Sequence, residues 1–316
     1  MPTIYHTYAS VGDLRDFLAG TNYSSNWTAD TSALRRILAA ASRRIDDYVG
    51  GDGLNTFGPY IEIKKYDIGI GPLGQTLVQT GLRTTGLRND VRPMVGVNTM
   101  APAAKVLNII PLGSWLSSAT TVTSYGDTAQ TTSETLTEGY NADYFLEPYN
   151  TNPKFTLKLN EDTNKGFNGG QQTLHIAGTW GWQNTTSIAT TLNGAITDAA
   201  ATTVTVTSGA TLSEGNTILV GTEQMYVESI STNNLTVIRG VHGTTAATHL
   251  TGVNVAKYTY SDVVVQACLD LGHFSYRDRD IGFNDSNESG ATGDAMTALE
   301  TLDRFASHTN TSGVIF

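Results

Sequence analysis

The sequence predicts an α+β protein, in which a small helical bundle packs with an antiparallel β-sheet and an all-β barrel or sandwich domain is inserted. Three observations lead to this fold class. Two amphipathic helical segments lie far apart, at residues 30–50 and 261–280. Between them run short segments of alternating polar and apolar residues, separated by Gly, Pro and Asn, which is typical of antiparallel strands. From about residue 186 to 258 the composition changes to Thr, Val, Ala, Gly and Ile in strand-length runs, which predicts a separate β-domain.

Residues 30–50 contain the clearest helix in the sequence. Asp30 can cap the first amides, and Gly50 with Gly51 provides a left-handed stop. Apolar side chains recur at steps of three and four residues, so they share one stripe that needs a packing partner. The stripe residues expected in the core are Leu34, Ile37, Leu38, Ala41 and Ile45. Off the stripe lie Arg35, Arg36, Arg43 and Arg44.

The elements before residue 186 follow from similar signals. Ser10 and Asp13 form a capping box for a short helix over residues 11–18. The alternating segments then predict strands at residues 60–66, 106–110, 119–125, 144–146, 155–159 and 173–176. Residues 69–100 are rich in Gly and Thr without a clear pattern, so we expect a long loop or extended arm there.

The inserted region and the second long helix complete the pattern. Strands are expected at residues 202–207, 217–220, 224–231, 235–239 and 253–257, with Asn233 and Asn234 in a tight hairpin turn. Ser261 caps the second helix, and the residues expected to pack against the first helix include Val264, Cys268 and Leu271. The domains so defined are residues 1–185 with 259–285, residues 186–258, and a C-terminal arm at 286–316.

The C-terminal arm contains a polar, Gly- and Asn-rich link followed by a short amphipathic segment. A helix of about twelve residues is marginal by itself, so its apolar stripe should dock on a partner. The stripe consists of Met296, Leu299, Leu302 and Phe305.

Composition restricts the function. The formal net charge is -10 and only 15% of residues are charged, which argues against a protein that grips nucleic acid through clustered Lys and Arg. The single cysteine excludes an intramolecular disulfide and a multi-cysteine zinc site. No stretch has the pattern of a signal peptide or the length of a membrane span, so we expect synthesis in a cytosol.

Motifs that could bind a cofactor or a metal fail on their context. Gly69, Gly71 and Gly74 have the spacing of a dinucleotide fingerprint, but Pro72 interrupts it and no amphipathic helix follows. An acidic run that could suggest calcium binding lacks the required turn glycine and is interpreted as a solvated linker: Asp278, Asp280, Asp285 and Glu288. His242 and His249 are expected to order their own hairpin. We therefore predict no cofactor and no metal.

Catalytic patterns are equally weak. There is no G-x-S-x-G elbow, and Asp46 and Asp47 are adjacent on a helix, where their side chains do not face each other. We predict that the chain is not an enzyme.

Trp180 and Trp182 are expected to differ in burial. One should lie in the core, and the other should be partly exposed, where an aromatic side chain suits an interface.

The order of several motifs resembles that of tailed-phage head–tail connector (adaptor) proteins. They are YASVGDLRDFLAG, LRRILAAASRRIDDYVGG, YFLEPYN, HIAGTWGW and DVVVQACLDLGHFSYRDRDIGF. In shorter relatives the strand that ends in the Trp-Gly motif leads almost directly into the last helix, so removing residues 186–258 restores the family order. That inserted region in turn resembles a β-module that recurs in phage virion proteins.

The resemblance implies a structural protein of the virion neck, made in the host cytoplasm. Such a protein forms a homo-oligomeric ring, expected to be a dodecamer, that binds the portal protein above and a stopper or tail component below. DNA would pass through its channel without specific binding, and an acidic wall suits that role. The C-terminal arm is the candidate portal contact. An alternative is that the chain is a glycan- or surface-binding decoration or tail protein; a third hypothesis, a glycoside hydrolase, would need two convergent carboxylates that the sequence does not supply.

Overall fold

The computed structural model describes residues 6–19, 31–50, 56–70, 76–79, 109–160, 162–163, 165–167, 170–182, 185–281 and 300. The chain divides into two compact units. The first consists of Met1–Tyr60 with Gln183–Phe316, and the second of Ile61–Trp182. The described residues form three helices and two antiparallel sheets, in agreement with the predicted α+β class.

The second unit is built on a seven-stranded sheet with the order β2-β1-β7-β3-β6-β5, in which β4 pairs with β3. Side chains alternate between a buried and a more exposed face, as the two-residue period of a strand requires. The strands are β1 (Tyr60–Ile70), β2 (Thr76–Gln79), β3 (Ile109–Tyr125), β4 (Ser133–Leu136), β5 (Tyr144–Glu147), β6 (Lys154–Leu159) and β7 (Gly170–Trp180).

Two predictions for this sheet are wrong. The expected loop at residues 69–100 begins instead as a hairpin, since β1 continues to Ile70 and pairs with β2. The expected separate strands at 106–110 and 119–125 are one strand, β3. Pro111 and Gly113 suggested a break between two strands. The strand continues through them as a bulge, because its register against β6 shifts between Pro111 and Leu116 and Gly113 has a positive φ of 64°. Residues 80–108 lie outside the described residues.

The helices all belong to the first unit: α1 (Val11–Ala19), α2 (Thr31–Gly50) and α3 (Asp262–Ile281). The predicted capping box of α1 is present, because the backbone N–H of Ser10 donates to Asp13 Oδ2 at 2.8 Å and the N–H of Asp13 donates to Ser10 Oγ at 3.2 Å. None of the helices in the described residues is both long and apolar enough to cross a bilayer.

The two long helices pack against each other, as the sequence predicts. Ser42 Oγ of α2 lies 3.5 Å from Cys268 Sγ of α3, and a Cβ built on Gly272 would lie 3.6 Å from Leu38 Cδ2. The first contact lies later in α2 and earlier in α3 than the second, so the helices run antiparallel. The interface draws on the predicted stripes: Leu34, Leu38, Ala41, Ile45, Val264, Cys268 and Leu271 are buried, and Ile37 is half-buried.

The first unit also contains a six-stranded sheet with the order β8-β13-β10-β11-β12-β9. Its strands are β8 (Thr186–Thr191), β9 (Thr203–Thr205), β10 (Thr217–Val220), β11 (Glu223–Ser231), β12 (Asn234–Ile238) and β13 (Asn254–Tyr258). Beyond the ends of β8 and β9, the N–H of Asn193 donates to the carbonyl of Thr205 at 2.9 Å. The N–H of Thr207 likewise donates to the carbonyl of Thr191 at 2.9 Å, so hydrogen bonds join the first and last strands of the path.

Five strands of this sheet fall close to their predicted positions, β8 was not predicted, and the hairpin turn is shifted by one residue. Ser231 pairs with Asn234, which places Thr232 and Asn233 in the turn, and Thr232 has a φ of 55°. The apolar faces enclose one cluster of buried side chains: Leu192, Ile196, Val204, Val206, Leu212, Ile218, Val220, Met225, Val227, Leu235, Val237 and Val255. In the observed division this sheet shares a unit with the helices, whereas the sequence analysis grouped the helices with residues 1–185.

Candidate functional site

Residues 6–10, which we name the strap, are all buried and join the helices to the sheet of residues 186–258. Thr7 Oγ1 donates a hydrogen bond to the carbonyl of Gly215 at 2.5 Å. One residue later, the N–H of Tyr8 donates to Ser42 Oγ of α2 at 3.1 Å. The inserted sheet and the helix are therefore held by the same short segment.

The strap places a phenol in a buried polar cluster. Tyr8 Oη donates to the carboxylate of Asp46, lies 2.8 Å from Thr56 Oγ1 and accepts a hydrogen bond from the N–H of Phe57 at 3.0 Å. Arg43 Nη1 lies 2.9 Å from Asp46 Oδ2. A carboxylate, a phenol and a guanidinium thus meet at the point where the strap crosses α2.

Burial governs the protonation of this cluster. Desolvation raises the pKa of Asp46 to about 7, although the positive charge of Arg43 acts in the opposite direction. The pKa of Tyr8 is also well above its ordinary value, first because of burial and then because of the negative charge of Asp46. Such a perturbed carboxyl would suit acid–base chemistry in an open cleft. Here Asp46 is only 3% exposed, so the cluster is a structural one.

A second polar cluster is formed by two stacked histidines. The rings of His6 and His242 lie 3.6 Å apart between centroids and 11° from parallel. His6 Nε2 donates to the carbonyl of Pro59 at 2.9 Å, which leaves Nδ1 to accept from the hydroxyl of Tyr260 at 3.0 Å. His242 Nδ1 lies 2.8 Å from Gln224 Oε1. Each ring is therefore fixed in orientation by its partners.

Both of these histidines are neutral at physiological pH. Desolvation lowers the pKa of His6 to about 3, and it lowers the pKa of His242 further, with a contribution from the neighbouring His6. Two neutral rings can stack without charge repulsion, whereas protonating either one would place a cation in a buried site. The pair therefore fastens the strap to the inserted sheet.

A third cluster surrounds Glu223, which is fully buried. Arg239 donates to it through Nε at 2.6 Å and through Nη2 at 2.7 Å. The N–H groups of Gly240 and Ala247 each donate at 3.0 Å, and His249 Nε2 lies 2.8 Å from Oε2. Every lone-pair direction of the carboxylate is used, which identifies it as the anchor of the connection between β12 and β13.

The protonation of Glu223 follows from these donors. Burial by itself would raise the pKa of its carboxyl, but the hydrogen bonds from Arg239 and His249 outweigh burial and hold the pKa below its usual value. Glu223 is therefore ionised at neutral pH and paired with a guanidinium that is itself only 6% exposed.

The predicted histidine and cysteine residues have structural contacts. His242 and His249 were expected to order their own hairpin. His249 does contact Glu223 in the same region of the chain. His242 instead stacks on His6 of the strap. Cys268 is buried, and desolvation raises the pKa of its thiol to about 11, so a thiolate is disfavoured. Within the described part of the chain no three His, Cys, Asp or Glu residues come together as a metal site would require.

The other motifs singled out in the sequence are only partly described. Gly69 lies in β1, while Gly71 and Gly74 are outside the described residues. Asp278 and Asp280 are in the last turn of α3, within the helix that the sequence predicts to residue 280, while Asp285 and Glu288 lie outside the described residues. The portal-contact candidates, Met296, Leu299, Leu302 and Phe305, also lie outside the described residues.

The expectation for the two tryptophans is confirmed. Trp180 is fully buried, its Nε1 donates to the carbonyl of Glu62 at 3.0 Å, and the ammonium of Lys64 lies 4.6 Å from the ring centroid. Trp182 is half-buried and packs edge-on against Trp115, with the ring centroids 4.8 Å apart.

No protein-family model, curated protein or solved structure matches this chain. The assignment of a function therefore depends on the residues and contacts described above.

The surface offers more to a partner than these interior clusters do. Large apolar side chains are exposed at Ile61 and Ile63 in β1, and at Ile188 and Leu250 in the region of the inserted sheet. On α2, Arg36, Arg44 and Asp47 are exposed, and on α3 Asp262 is exposed while Asp270 is half-buried. The interior clusters are closed to solvent, so a partner molecule would meet these exposed side chains first.

Sequence analysis did not find the strap or the Glu223 cluster. His6, Thr7 and Tyr8 show no periodicity, and their partners lie far along the chain, for example Thr7 with Gly215. The signal for the other cluster is weak, since Glu223 is one of two glutamates in β11, and it precedes the apolar run Met225 to Val227. A charge in that position requires a buried partner.

Proposed function

We propose that this protein is a structural component of a tailed-phage neck, a connector that forms a homo-oligomeric ring between the portal and the stopper or tail. The observation that carries the proposal is the packing of α2 on α3, since Ser42 and Cys268 are in contact although more than two hundred residues separate them in sequence. These two helices contain two of the motifs on which the resemblance to connectors depends. If α2 and α3 had not packed together, the proposal that the chain is a connector would have lost its structural support.

The inserted region fits this role as a built-in part of the connector. We propose that residues 186–258 form a closed barrel, which is supported by the hydrogen bonds from Asn193 to Thr205 and from Thr207 to Thr191 across the open end of the sheet. We also propose that α1, α2 and α3 act as a small bundle, supported by their common apolar contacts around Gly272. The strap then fixes barrel and bundle in one body.

The electrostatic balance is compatible with a DNA conduit. The net charge of -10 disfavours retention of duplex DNA on the inner surface, because phosphates are attracted only by clustered cations. The portal contact is assigned to the C-terminal arm and its four apolar residues, as the sequence indicates. In this proposal the protein is not an enzyme and needs no cofactor.

The location can be tested on virions of the phage whose genome encodes the chain. Gold-labelled antibodies raised against the purified protein should mark the junction between head and tail in electron micrographs. Label on the capsid faces, along the tail or at its tip would remove the proposal. Antibodies against the portal protein provide the positional reference in the same particles.

The alternative function is surface binding by the inserted region as a virion decoration or tail protein. It is favoured by the exposure of Ile188 and Leu250, whose side chains are 68% and 76% accessible. A glycan array probed with the full chain, and with a Leu250→Ser variant as control, tests it. Binding that the substitution removes would support this alternative, and an array without signal would leave the connector role as the better proposal.

A further inference from the structure

The outer face of α2 carries a row of residues at steps of four: Ser32, Arg36, Ala40 and Arg44, all exposed. Cations are scarce in this chain, which has 19 Lys and Arg residues against 29 Asp and Glu. Two of them lie on this face with a small alanine between them, and the exposed Asp47 follows Arg44 by three residues. Residues i and i+4 lie nearly above one another, so the two arginines, two such steps apart, lie on one side of the helix with an angular offset of about 80°.

The four arginines of α2 differ in how they are used. Arg35 Nη1 donates to the carbonyl of Glu228 at 2.7 Å and lies 3.4 Å from its carboxylate. Arg43 donates to the carbonyl of His6 at 2.8 Å and pairs with Asp46. Arg36 and Arg44 form no ion pair within the described part of the chain. The inner pair thus joins elements of the unit, and the outer pair is exposed and contacts no carboxylate in the part of the chain that the structure describes.

The outer face of α3 carries the complementary row. Asp262 and Gln266 are exposed, Asp270 is half-buried, and the three are again spaced at steps of four. Gln266 Nε2 donates to Asp270 Oδ1 at 2.9 Å, which fixes the orientation of that carboxylate. The two aspartates are eight residues apart, as are Arg36 and Arg44. At 1.5 Å of rise per residue, both spacings are about 12 Å.

We propose that the arginine row of α2 in one copy binds the aspartate row of α3 in the next copy, which makes these two faces the lateral contact of the ring. The inference rests on the proposed function for its ring. In a ring of about twelve copies, neighbours differ by a rotation of about 30°, so each helix nearly keeps its direction from copy to copy. Since α2 and α3 are antiparallel within one copy, α2 also runs roughly antiparallel to α3 of its neighbour.

That direction defines the pairs. In the antiparallel arrangement Arg44 faces Asp262 of the neighbouring copy, and Arg36 faces Asp270. The contact is heterologous, because it joins two different faces, and repetition of such a contact closes into a ring or continues as a filament. Matched spacing sets the register, and the opposite charges exclude contacts between like faces.

The competing partner for two exposed arginines is the phosphate backbone of DNA. The observations favour a second copy, because a matching acidic row exists on α3 of the same chain and because the chain as a whole is acidic. Two cations surrounded by excess negative charge would give little retention of a duplex. DNA binding is therefore treated as an outcome of the test.

The test uses charge reversal in the full-length chain. One variant carries Arg36→Glu with Arg44→Glu, and the other carries Asp262→Lys with Asp270→Lys. Sedimentation velocity and native mass spectrometry measure assembly of each, and circular dichroism confirms that each remains folded. We expect each variant alone to dissociate at least about tenfold more readily than the wild type, because like charges then face each other.

Mixing the two variants gives the decisive result. In a mixture every contact can again join opposite charges, so the two should assemble in alternation into species of even copy number. A control with Lys65→Glu and Lys158→Glu in the other unit makes the same change in net charge as the arginine variant and should assemble like the wild type. A mixture that stays dissociated, variants that assemble normally, or a wild type that remains monomeric at its highest soluble concentration would each overturn the inference.

The outcomes separate this inference from the proposed function. Charge-dependent assembly that stops at two copies would support the contact and remove the ring. Neck labelling of virions together with charge-independent assembly would keep the function and overturn the contact. Unchanged assembly with loss of retention on immobilised duplex DNA in the arginine variant would overturn the contact and reassign the arginine row to DNA.

Discussion

Replacing Glu223 by Gln should unfold the first unit far more readily than its small change in shape would suggest. The glutamine side chain keeps the size of the glutamate, but it is neutral and its amide nitrogen cannot accept a hydrogen bond. Arg239, which is 6% exposed and donates two hydrogen bonds to the carboxylate, would then remain as a buried cation without its counter-charge. Removal of one partner from a buried ion pair costs about 3–5 kcal/mol.

A matched control exists in the same unit. Glu228→Gln removes the same charge from a pair with Arg35, but the side chains of that pair are 37% and 25% exposed and water replaces the lost interaction. Its cost should be at most about 1 kcal/mol. If the free energy of unfolding falls by about 2 kcal/mol per molar urea, Glu223→Gln lowers the urea midpoint of unfolding by about 1.5–2.5 M. Glu228→Gln lowers the same midpoint by about 0.5 M or less.

Circular dichroism at the helical minimum is the suitable signal, because all the helices in the described residues belong to the first unit. A second variant, Glu223→Gln with Arg239→Met, removes both charges, keeps a carbonyl oxygen that can accept from the N–H of Gly240 or Ala247, and should recover much of the stability lost in Glu223→Gln. If Glu223→Gln shifts the midpoint no further than Glu228→Gln does, the carboxylate does not anchor this region. A double variant less stable than Glu223→Gln would show that the unpaired Arg239 cation is not what destabilises the single variant.

Three further predictions follow from the strap and the arm. The pKa of Asp46 is about 7 in the folded protein and 3.8 ordinarily, so between these pH values the folded state binds a proton that the unfolded state does not. The free energy of unfolding should therefore fall as pH rises from about 4 to 7, by at most about 4 kcal/mol. Urea melts at several pH values measure this slope, and Asp46→Asn should flatten it. Gly58→Ala should cost about 1–3 kcal/mol, because its Cβ would lie 2.1 Å from the ring of His6, whereas Gly272→Ala, with its nearest neighbour at 3.4 Å, should be neutral or stabilising in the same melts. Truncation at Gly290 should abolish co-purification with the portal protein while leaving the helical signal unchanged, and retained binding would remove the portal role of the arm.

The sequence predicted the helices well because their signal is local. Every third or fourth residue of α2 is apolar from Leu34 to Ile45, and that period alone determines which face is buried. The pairing of α2 with α3 could also be predicted, since each stripe needed a partner and few other helical segments were available. Burial of Trp180 at the end of a strand followed from the same kind of pattern.

Other features could not be predicted, because they depend on contacts between distant parts of the chain. The bulge in β3 depends on how its partner strands pair across Pro111, which the local Pro and Gly signals misrepresent. The strap is a polar segment without periodicity, yet it is buried because each of its polar groups meets a partner from another element, as Tyr8 meets Asp46. The exposure of Arg36, Arg44 and Asp262 depends on how each helix packs, which the spacing of charged residues alone does not determine.

The strap also constrains the order of events during synthesis. Its partners Gly215, His242 and Tyr260 are translated more than two hundred residues after Thr7, which corresponds to about 10–40 s at ordinary elongation rates. During that interval the segment has left the ribosome while the sheet that will cover it does not yet exist. The helices and the inserted sheet therefore cannot mature independently, and the joining of the earliest and latest parts of the chain should be the last step in folding the first unit.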